Sequence, residues 1–305
     1  MHKIGLQYLP DSLKAATRLA SRVDVFAEPI MLHRFPDGEM RVTAAPPAAT
    51  TIIYASLDQP NEKLISLLFA AESLRRNGAS RLILIAPYLC YMRQDTAFQP
   101  LEAISQKVIG NLLSGAFDRV VTVNAHLHRT KDIHDIFPGI AADDLSAMHA
   151  IATYLQASNL DPETVILGPD EESRTWVSEL ASRLGVTFAV ARKIRQNDQS
   201  VKIVLPERDF GSHPVLIVDD IVSSGGTLTA CAQMLKSAGV RTIDAIVTHA
   251  LFPALQAEEF TRAGIRSIQS TDSVPHPTNA IFLDATLADA LRDEFDDRET
   301  KGLLP

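Results

Sequence analysis

Cysteine, long apolar runs and excess positive charge are all scarce in this chain of 305 residues, and each scarcity removes a class of protein. Two cysteines, Cys90 and Cys231, cannot build the disulfide framework of a small secreted domain. Both lie in apolar strand or helix patterns and read as small buried hydrophobes of a reducing, cytoplasmic compartment. The longest apolar run, residues 82–92, contains Pro87 and falls short of the roughly 20 residues that span a bilayer. The first residues carry no signal-peptide pattern. Twenty-nine Lys and Arg against 37 Asp and Glu give a formal charge of −8, which argues against nucleic acid as the main partner. An acidic protein that handles phosphates must gather positive charge locally, from Lys, Arg, helix termini or a divalent cation.

Hydrophobic residues, at 46%, are abundant enough for one large core or two. The most informative stretch is Pro214-Val215-Leu216-Ile217-Val218-Asp219-Asp220-Ile221-Val222-Ser223-Ser224-Gly225-Gly226-Thr227. Its Val/Leu/Ile/Val run predicts a buried strand with two carboxylates at the C-terminal end. A Ser/Gly turn follows, then a helical pattern over 227–236 stopped at Gly239. Converging backbone N–H groups and a helix N-terminus make such a turn an anion site. No Gly-Lys-Ser/Thr follows, and the glycines are not spaced Gly-x-Gly-x-x-Gly. The paired Asp219 and Asp220, side by side, can accept hydrogen bonds from neighbouring sugar hydroxyls while the loop holds that sugar's phosphate.

The order strand, turn, helix, glycine, strand occurs twice, over 52–85 and over 216–247, which predicts two structurally similar α/β halves. Only the second keeps the glycine-rich loop. The expected division is 1–145 and 146–305, with helices over 12–21 (capped by Asp11), 62–76, 102–113, 145–155 and 172–184. Between them stand several polar groups at predicted strand ends. Phe35-Pro36-Asp37-Gly38-Glu39 is a turn signal. Arg93-Gln94 follows a buried strand at the end where α/β proteins bind ligands, and Arg suits phosphate. His126 and His128, two residues apart on an extended segment, suit a divalent metal or phosphate, or belong to a histidine-rich surface loop. Asp170 is either a helix N-cap or a Mg2+ ligand. Residues 192–198 form a polar stretch without period, carrying Arg192, Lys193 and Arg195, which is either a lid over anionic substrate or a plain exposed loop.

The Asp-Asp loop resembles the phosphoribosyl-pyrophosphate loop of the type I phosphoribosyltransferase fold. Together with Arg34-Phe35-Pro36-Asp37-Gly38-Glu39, Pro87-Tyr88-Leu89-Cys90-Tyr91-Met92-Arg93-Gln94-Asp95, Val123-Asn124-Ala125-His126, Gly168-Pro169-Asp170 and Lys193-Ile194-Arg195, it resembles the ribose-phosphate pyrophosphokinase family over nearly the whole chain. The resemblance implies two phosphoribosyltransferase-like domains, each a mostly parallel sheet flanked by helices. The first would lie on the ATP side and the second on the ribose 5-phosphate side. It implies Mg2+-dependent transfer of the diphosphoryl group of ATP to the 1-hydroxyl of ribose 5-phosphate, in a cytoplasmic homo-oligomer, dimer or hexamer. Carried over by motif, Phe35, Asp37 and Glu39 would bind adenine, reaching into a neighbouring subunit's site, and Arg93 and Gln94 would contact ATP. His126 and Asp170 would serve metal and triphosphate, and Lys193 and Arg195 would act in catalysis from the lid. Asp219 and Asp220 would hold the ribose hydroxyls, and Ser223, Ser224, Gly225, Gly226 and Thr227 the 5-phosphate. The chain departs from the common pattern at Asn124, where the family has Asp, at Glu171-Glu172-Ser173, where bacterial members have a glycine pair, and at Ser223-Ser224-Gly225-Gly226-Thr227, which is closer to the archaeal type. A phosphoribosyltransferase that consumes the activated sugar, or a non-catalytic regulatory paralogue, are the alternatives. The first half argues against the former and the Lys193/Arg195 pair against the latter.

Overall fold

The computed structural model describes residues 4–197, 200–211 and 213–295, with 193–197 and 200–202 described by backbone alone. It divides into two compact units, one of residues up to Leu145 together with the segment from Leu283, the other Ser146–Phe282.

The first unit begins with β1 (Ile4–Tyr8), α1 (Leu13–Arg22) and β2 (Ala27–Pro29). A hairpin of β3 (Met31–Arg34) and β4 (Met40–Thr43) follows, then β5 (Thr50–Tyr54), α2 (Pro60–Arg76), β6 (Arg81–Ala86), α3 (Ser105–Ser114), β7 (Arg119–Val123) and β8 (Ala141–Leu145). The sheet is parallel throughout, in the order β2-β1-β5-β6-β7-β8. Its central strands are buried on both faces, which is why Thr51-Ile52-Ile53-Tyr54 and Leu82-Ile83-Leu84-Ile85 are continuous apolar runs rather than alternating ones.

The second unit repeats the plan: α4 (Met148–Ala157), β9 (Val165–Gly168), α5 (Arg174–Leu184), β10 (Thr187–Val190), an antiparallel hairpin of β11 (Arg192–Asn197) and β12 (Ser200–Val204), β13 (Val215–Val222), α6 (Gly226–Ser237), β14 (Ile243–Ala250), α7 (Ala257–Ala263), β15 (Ser267–Thr271) and β16 (Asn279–Ile281). Its sheet order is β10-β9-β13-β14-β15-β16. Counted within each unit, the parallel strands run 2-1-3-4-5-6 both times, and an antiparallel hairpin is inserted between the second and third. The internal repeat is therefore one of topology. Among the described residues no helix is long and apolar enough to cross a membrane.

Several expected boundaries move. Helix α1 starts at Leu13 because Pro10–Ser12 forms a separate 3-10 turn, so Asp11 is not its cap. Helix α3 starts three residues later than expected, after a stretch where Leu101 takes a left-handed φ of 70°. The helix expected at 145–155 is α4, displaced because 141–145 pairs with β7 as a sixth strand. The polar stretch 192–198 is not a loop: residues 192–197 form β11, paired with β12. The last segment, α8 (Asp284–Ala290) and α9 (Arg292–Phe295), belongs with the first unit and not with the second. Glu294 there accepts hydrogen bonds from Arg81 Nε and Nη2 at 2.9 and 2.7 Å and from Arg119 Nη1 at 3.0 Å, and Asp284 pairs with Arg22 at 2.5 Å.

Candidate active site

In the second unit the acids lie inside β13, not beyond it. Strand β9 pairs with β13 only as far as Ile217, so from Val218 onward that edge is open, while β14 continues alongside to Val222. Asp219 Oδ1 accepts the N–H of Asp220 at 3.0 Å and Asp220 Oδ1 that of Ile221 at 2.7 Å. Because the strand runs on through both residues, the pleat sends them to opposite faces. Asp219 is half-buried with Ile221, and Asp220 is buried with Val222. The Asp219 carboxyl is held well above the usual carboxylate range, first by burial, then by the charges of Asp220 and Asp170.

Residues 223–225 link β13 to α6. Gly225 is the N-cap at φ 72°, and a Cβ there would meet the Phe260 ring at 2.4 Å, so both conformation and space demand glycine. Gln256 Nε2 donates to Ser224 O at 2.6 Å and braces the same turn. Nothing in the local pattern singled out Gln256 or Phe260, which lie some thirty residues downstream. Ser224 and Gly226 are exposed and Ser223 and Thr227 half-exposed, so the turn and the first residues of α6 are open to an anion.

Asp170 caps the 3-10 turn Glu171–Ser173, its Oδ1 accepting the Ser173 N–H at 3.3 Å. The Ser173 side chain lies so close to Gly168 that a Cβ at 168 would sit 1.9 Å from its Oγ, which explains the glycine before Pro169-Asp170. Glu171, one of the two extra acids, pairs with Arg174 Nη2 at 2.9 Å, and that hydrogen bond holds its pKa below the ordinary value. The added negative charge is thus partly neutralised locally.

In the first unit two loops at the C-terminal ends of β6 and β7 are pinned together. Arg129 Nη1 donates to Asp95 Oδ1 at 2.8 Å, the Asp95 side chain being 2% exposed, and Arg129 stacks on the Phe98 ring at 5.5 Å. Gln94 O accepts the Gln106 N–H at 3.2 Å, and Thr130 Oγ1 donates to Gln106 Oε1 at 2.8 Å. Arg93, exposed, and Gln94, half-buried, lie on the loop that this pair ties to the loop carrying His126. Tyr91, Asn124 and His126 all have left-handed φ, at 62°, 44° and 57°, a concentration of non-glycine outliers typical of functional loops. Asp144 Oδ1 accepts the Ala125 N–H at 2.9 Å, so a carboxylate from β8 supports the turn that begins at Asn124. The Asp95–Arg129 pin and Asp144 were not singled out from the sequence as parts of the site.

Phe35, Asp37 and Glu39 form the tip of the β3–β4 hairpin. Phe35 N–H donates to Glu39 O at 2.8 Å and Asp37 Oδ1 accepts the Glu39 N–H at 3.0 Å. The tip is exposed, while the hairpin packs along α2. Lys193 and Arg195 stand on β11, but their side chains lie outside the described residues, and so does Asp198.

Two α/β units of one topology, the second carrying an acid-bearing strand that opens through a glycine turn into a helix, define a protein built on the phosphoribosyltransferase plan. Comparison with known proteins agrees for both halves. Residues 142–279 match the family described as phosphoribosyl transferase domain, and residues 7–116 that described as N-terminal domain of ribose phosphate pyrophosphokinase. The ribose-phosphate pyrophosphokinase of Methanopyrus kandleri is 32% identical over 283 residues, 92% of this chain and 96% of the relative. That of Methanothermobacter thermautotrophicus is 30% identical, over 92% of this chain and 98% of the relative. The phosphoribosylpyrophosphate synthetase of Mycobacterium smegmatis superposes with a TM-score of 0.83 at 24% identity, covering 96% and 99% of the two chains, and shows the same fold. The chain belongs to the ribose-phosphate pyrophosphokinase family.

Proposed function

We propose that this protein is a ribose-phosphate diphosphokinase that moves the diphosphoryl group of ATP to the 1-hydroxyl of ribose 5-phosphate. The observation that carries the reading is the strand–acid–glycine–helix arrangement of β13 and α6, in a chain alike over nearly its full length to relatives of that name. The sugar hydroxyl attacks the β-phosphorus, the bond from that phosphorus to the α,β-bridging oxygen breaks, and AMP leaves with its electron pair. The hydroxyl proton passes to solvent. The protein's share is placement and charge compensation rather than covalent chemistry.

The 5-phosphate is taken by residues 223–227 through backbone N–H groups and the α6 dipole, and the ribose hydroxyls by Asp219 and Asp220. Asp219, the more accessible of the two, makes the closer contact. Arg93 and Gln94 meet the triphosphate, and Phe35, Asp37 and Glu39 meet adenine. The exposure of the hairpin tip supports its reaching a neighbouring subunit in a homo-oligomer, as does the apolar surface of Met31, Ile65 and Phe69 on β3 and α2. Lys193 and Arg195, on the β11–β12 hairpin, supply positive charge to the transition state.

The acids fit a hard divalent cation. Asp170 and Asp220 raise the Asp219 pKa by their charge, so mutual repulsion is present for a cation to relieve. Among the described residues these groups do not make a three-ligand cluster, so substrate oxygens and water would complete the sphere. Mg2+ bound there and at His126 would neutralise charge developing on the phosphoryl oxygens. We place the protein in the cytoplasm, a reading supported by its two buried free thiols.

The test is incubation of the purified protein with Mg-ATP and ribose 5-phosphate. AMP and 5-phosphoribosyl 1-diphosphate should form in equal amounts. AMP without the sugar diphosphate, or neither product across a range of metal and phosphate concentrations, refutes the proposal.

A further inference from the structure

We propose that Gln256 is a positioning residue for the sugar phosphate: its side-chain amide locks the Ser224–Gly225 peptide so that the Gly225 N–H faces the anion. The inference rests on residues 223–227 taking the 5-phosphate, as proposed above.

Gln256 ends the 3-10 turn Ala254–Gln256 and is the N-cap residue of α7. Its Nε2 donates to Ser224 O at 2.6 Å and to Glu259 Oε2 at 3.1 Å. Both amide hydrogens thus meet oxygens that only accept, and an amide turned the other way would set its own Oε1 against them. Phe260, one helical turn further on, fills the space beside Gly225 that a Cβ would need. Its ring is fixed edge-to-face on Phe252, with 5.1 Å between centroids. Gln256 and Phe260 share one face of the helix start and form a platform beneath the turn.

A trans peptide sends its C=O and N–H in opposite directions. With the Ser224 carbonyl held down on Gln256, the Gly225 N–H points to the other side of the turn, away from α7. A phosphate needs that orientation, because such a turn binds anions through converging N–H groups. The turn also carries a competing state. Gly225 has a φ of 72° and Gly226 follows it, and glycine takes positive and negative φ about equally readily, so the 224–225 peptide can rotate at little cost. Rotated, it would present the Ser224 carbonyl oxygen to the phosphate and repel it. The Gln256 hydrogen bond exists only in the orientation that binds. Its contribution is therefore preorganisation of the backbone, not contact with the ligand.

The test compares wild type with three variants of the full-length protein. Gln256→Met keeps the shape and loses the donor, Gln256→Glu puts an acceptor in its place, and Gln256→Lys restores a donor. Binding of ribose 5-phosphate is read by calorimetry without ATP, and binding of Mg-ATP separately. Loss of one hydrogen bond should weaken ribose 5-phosphate binding about 3–10-fold in Gln256→Met, and the opposed acceptor about 30-fold or more in Gln256→Glu. Gln256→Lys should stay within about threefold of wild type. ATP binding should not change in any of them, and Glu258→Gln, exposed on the same helix, should change neither affinity. A second readout needs no ligand. The Thr229 N–H, bonded to Gly225 O at 2.9 Å, should exchange with solvent faster in Gln256→Met than in wild type. Unchanged ribose 5-phosphate affinity in Gln256→Met overturns the proposal, as do equal losses in all three variants or a matching loss of ATP affinity. If wild type binds no ribose 5-phosphate, the sugar-phosphate reading fails on its own, and unchanged Thr229 exchange in Gln256→Met would then show that Gln256 does not hold the turn.

Discussion

Replacing Glu294 by Gln should release the C-terminal segment from the first unit. The Glu294 side chain is 12% exposed and its carboxylate accepts three charge-assisted hydrogen bonds from Arg81 and Arg119. Breaking a fully buried pair of this kind costs about 3–5 kcal/mol, whereas an exposed one is worth about 0–1 kcal/mol. Two features place this case between those limits. Arg119 keeps Asp143 at 2.8 Å and the Ala290 carbonyl, so it is not orphaned, and Arg81 is 38% exposed and can take water. We expect a loss of about 2 kcal/mol, or roughly a 30-fold rise in local opening. A chain of two units need not unfold in one step, so the assay is local: hydrogen exchange or limited proteolysis across 283–295. The pH dependence has a definite sign. The arginine hydrogen bonds outweigh burial and hold the Glu294 pKa below its ordinary 4.5, so the stabilisation is complete above about pH 4.5 and fades as pH falls through the lower folded value. The difference between wild type and Glu294→Gln should therefore be constant from neutral pH down to about 5 and shrink under stronger acid. Unchanged protection in the variant, or a difference that persists undiminished in strong acid, refutes the reasoning.

Gly225→Ala puts a Cβ 2.4 Å from the Phe260 ring at a left-handed position, and it should raise KM for ribose 5-phosphate about tenfold or more while leaving that for ATP nearly unchanged; equal changes in both would argue against a phosphate role for this turn. Lys193→Ala should lower kcat by about 100-fold with ATP affinity, read by calorimetry, little altered, and an unchanged rate would remove Lys193 from catalysis. Cys90 is buried, which pushes its thiol up to about 12, and Cys231 is fully buried; neither should react with a thiol reagent at pH 8 until the protein is denatured, and rapid native labelling would contradict the packing.

The continuous apolar runs announced the central strands because a parallel sheet covered on both faces needs hydrophobic residues at every position. The glycine turn after β13 was legible for a similar reason: glycine at 225 answers a local backbone demand that the sequence itself displays. What stayed hidden depends on distant partners. Ala141–Leu145 reads Ala-Ala-Asp-Asp-Leu, a poor strand by propensity, and becomes β8 only because β7 offers an edge. The polar residues from Arg192 looked aperiodic because their partner strand lies downstream, in the register Arg192↔Val204 and Arg195↔Val201, and it is β12 that buries Ile203 in the core. Asp219 and Asp220 read as neighbours at the end of a strand, yet their facing depended on how far β13 continues past the end of β9, which no local pattern states. The brace by Gln256 and the return of Leu283 onward to the first unit are long-range in the same sense.

The duplicated topology shows why the two units can divide the labour. Each has a helix entered through a left-handed residue after its third strand, Gln59 at φ 49° before α2 and Gly225 at φ 72° before α6. In the second unit that entrance is a glycine followed by Gly226, beside Asp219, whose carboxyl is raised by burial and by the charges of Asp220 and Asp170. In the first, the entrance is closed chemically. Pro60 at the start of α2 has no N–H to offer an anion, and Lys63 from its first turn lies 2.5 Å from Asp11 and 2.6 Å from Asp58 and donates to Ser56 O at 2.8 Å. Asp11 follows a proline after the first strand of its sheet, as Asp170 does in the second unit, so the position proposed for a cation ligand in one half is held in the other by a carboxylate already paired with an ammonium. On the proposed function the ligand-facing groups of the first unit stand instead at the next two strand ends, with Arg93 and Gln94 after β6 and His126 after β7.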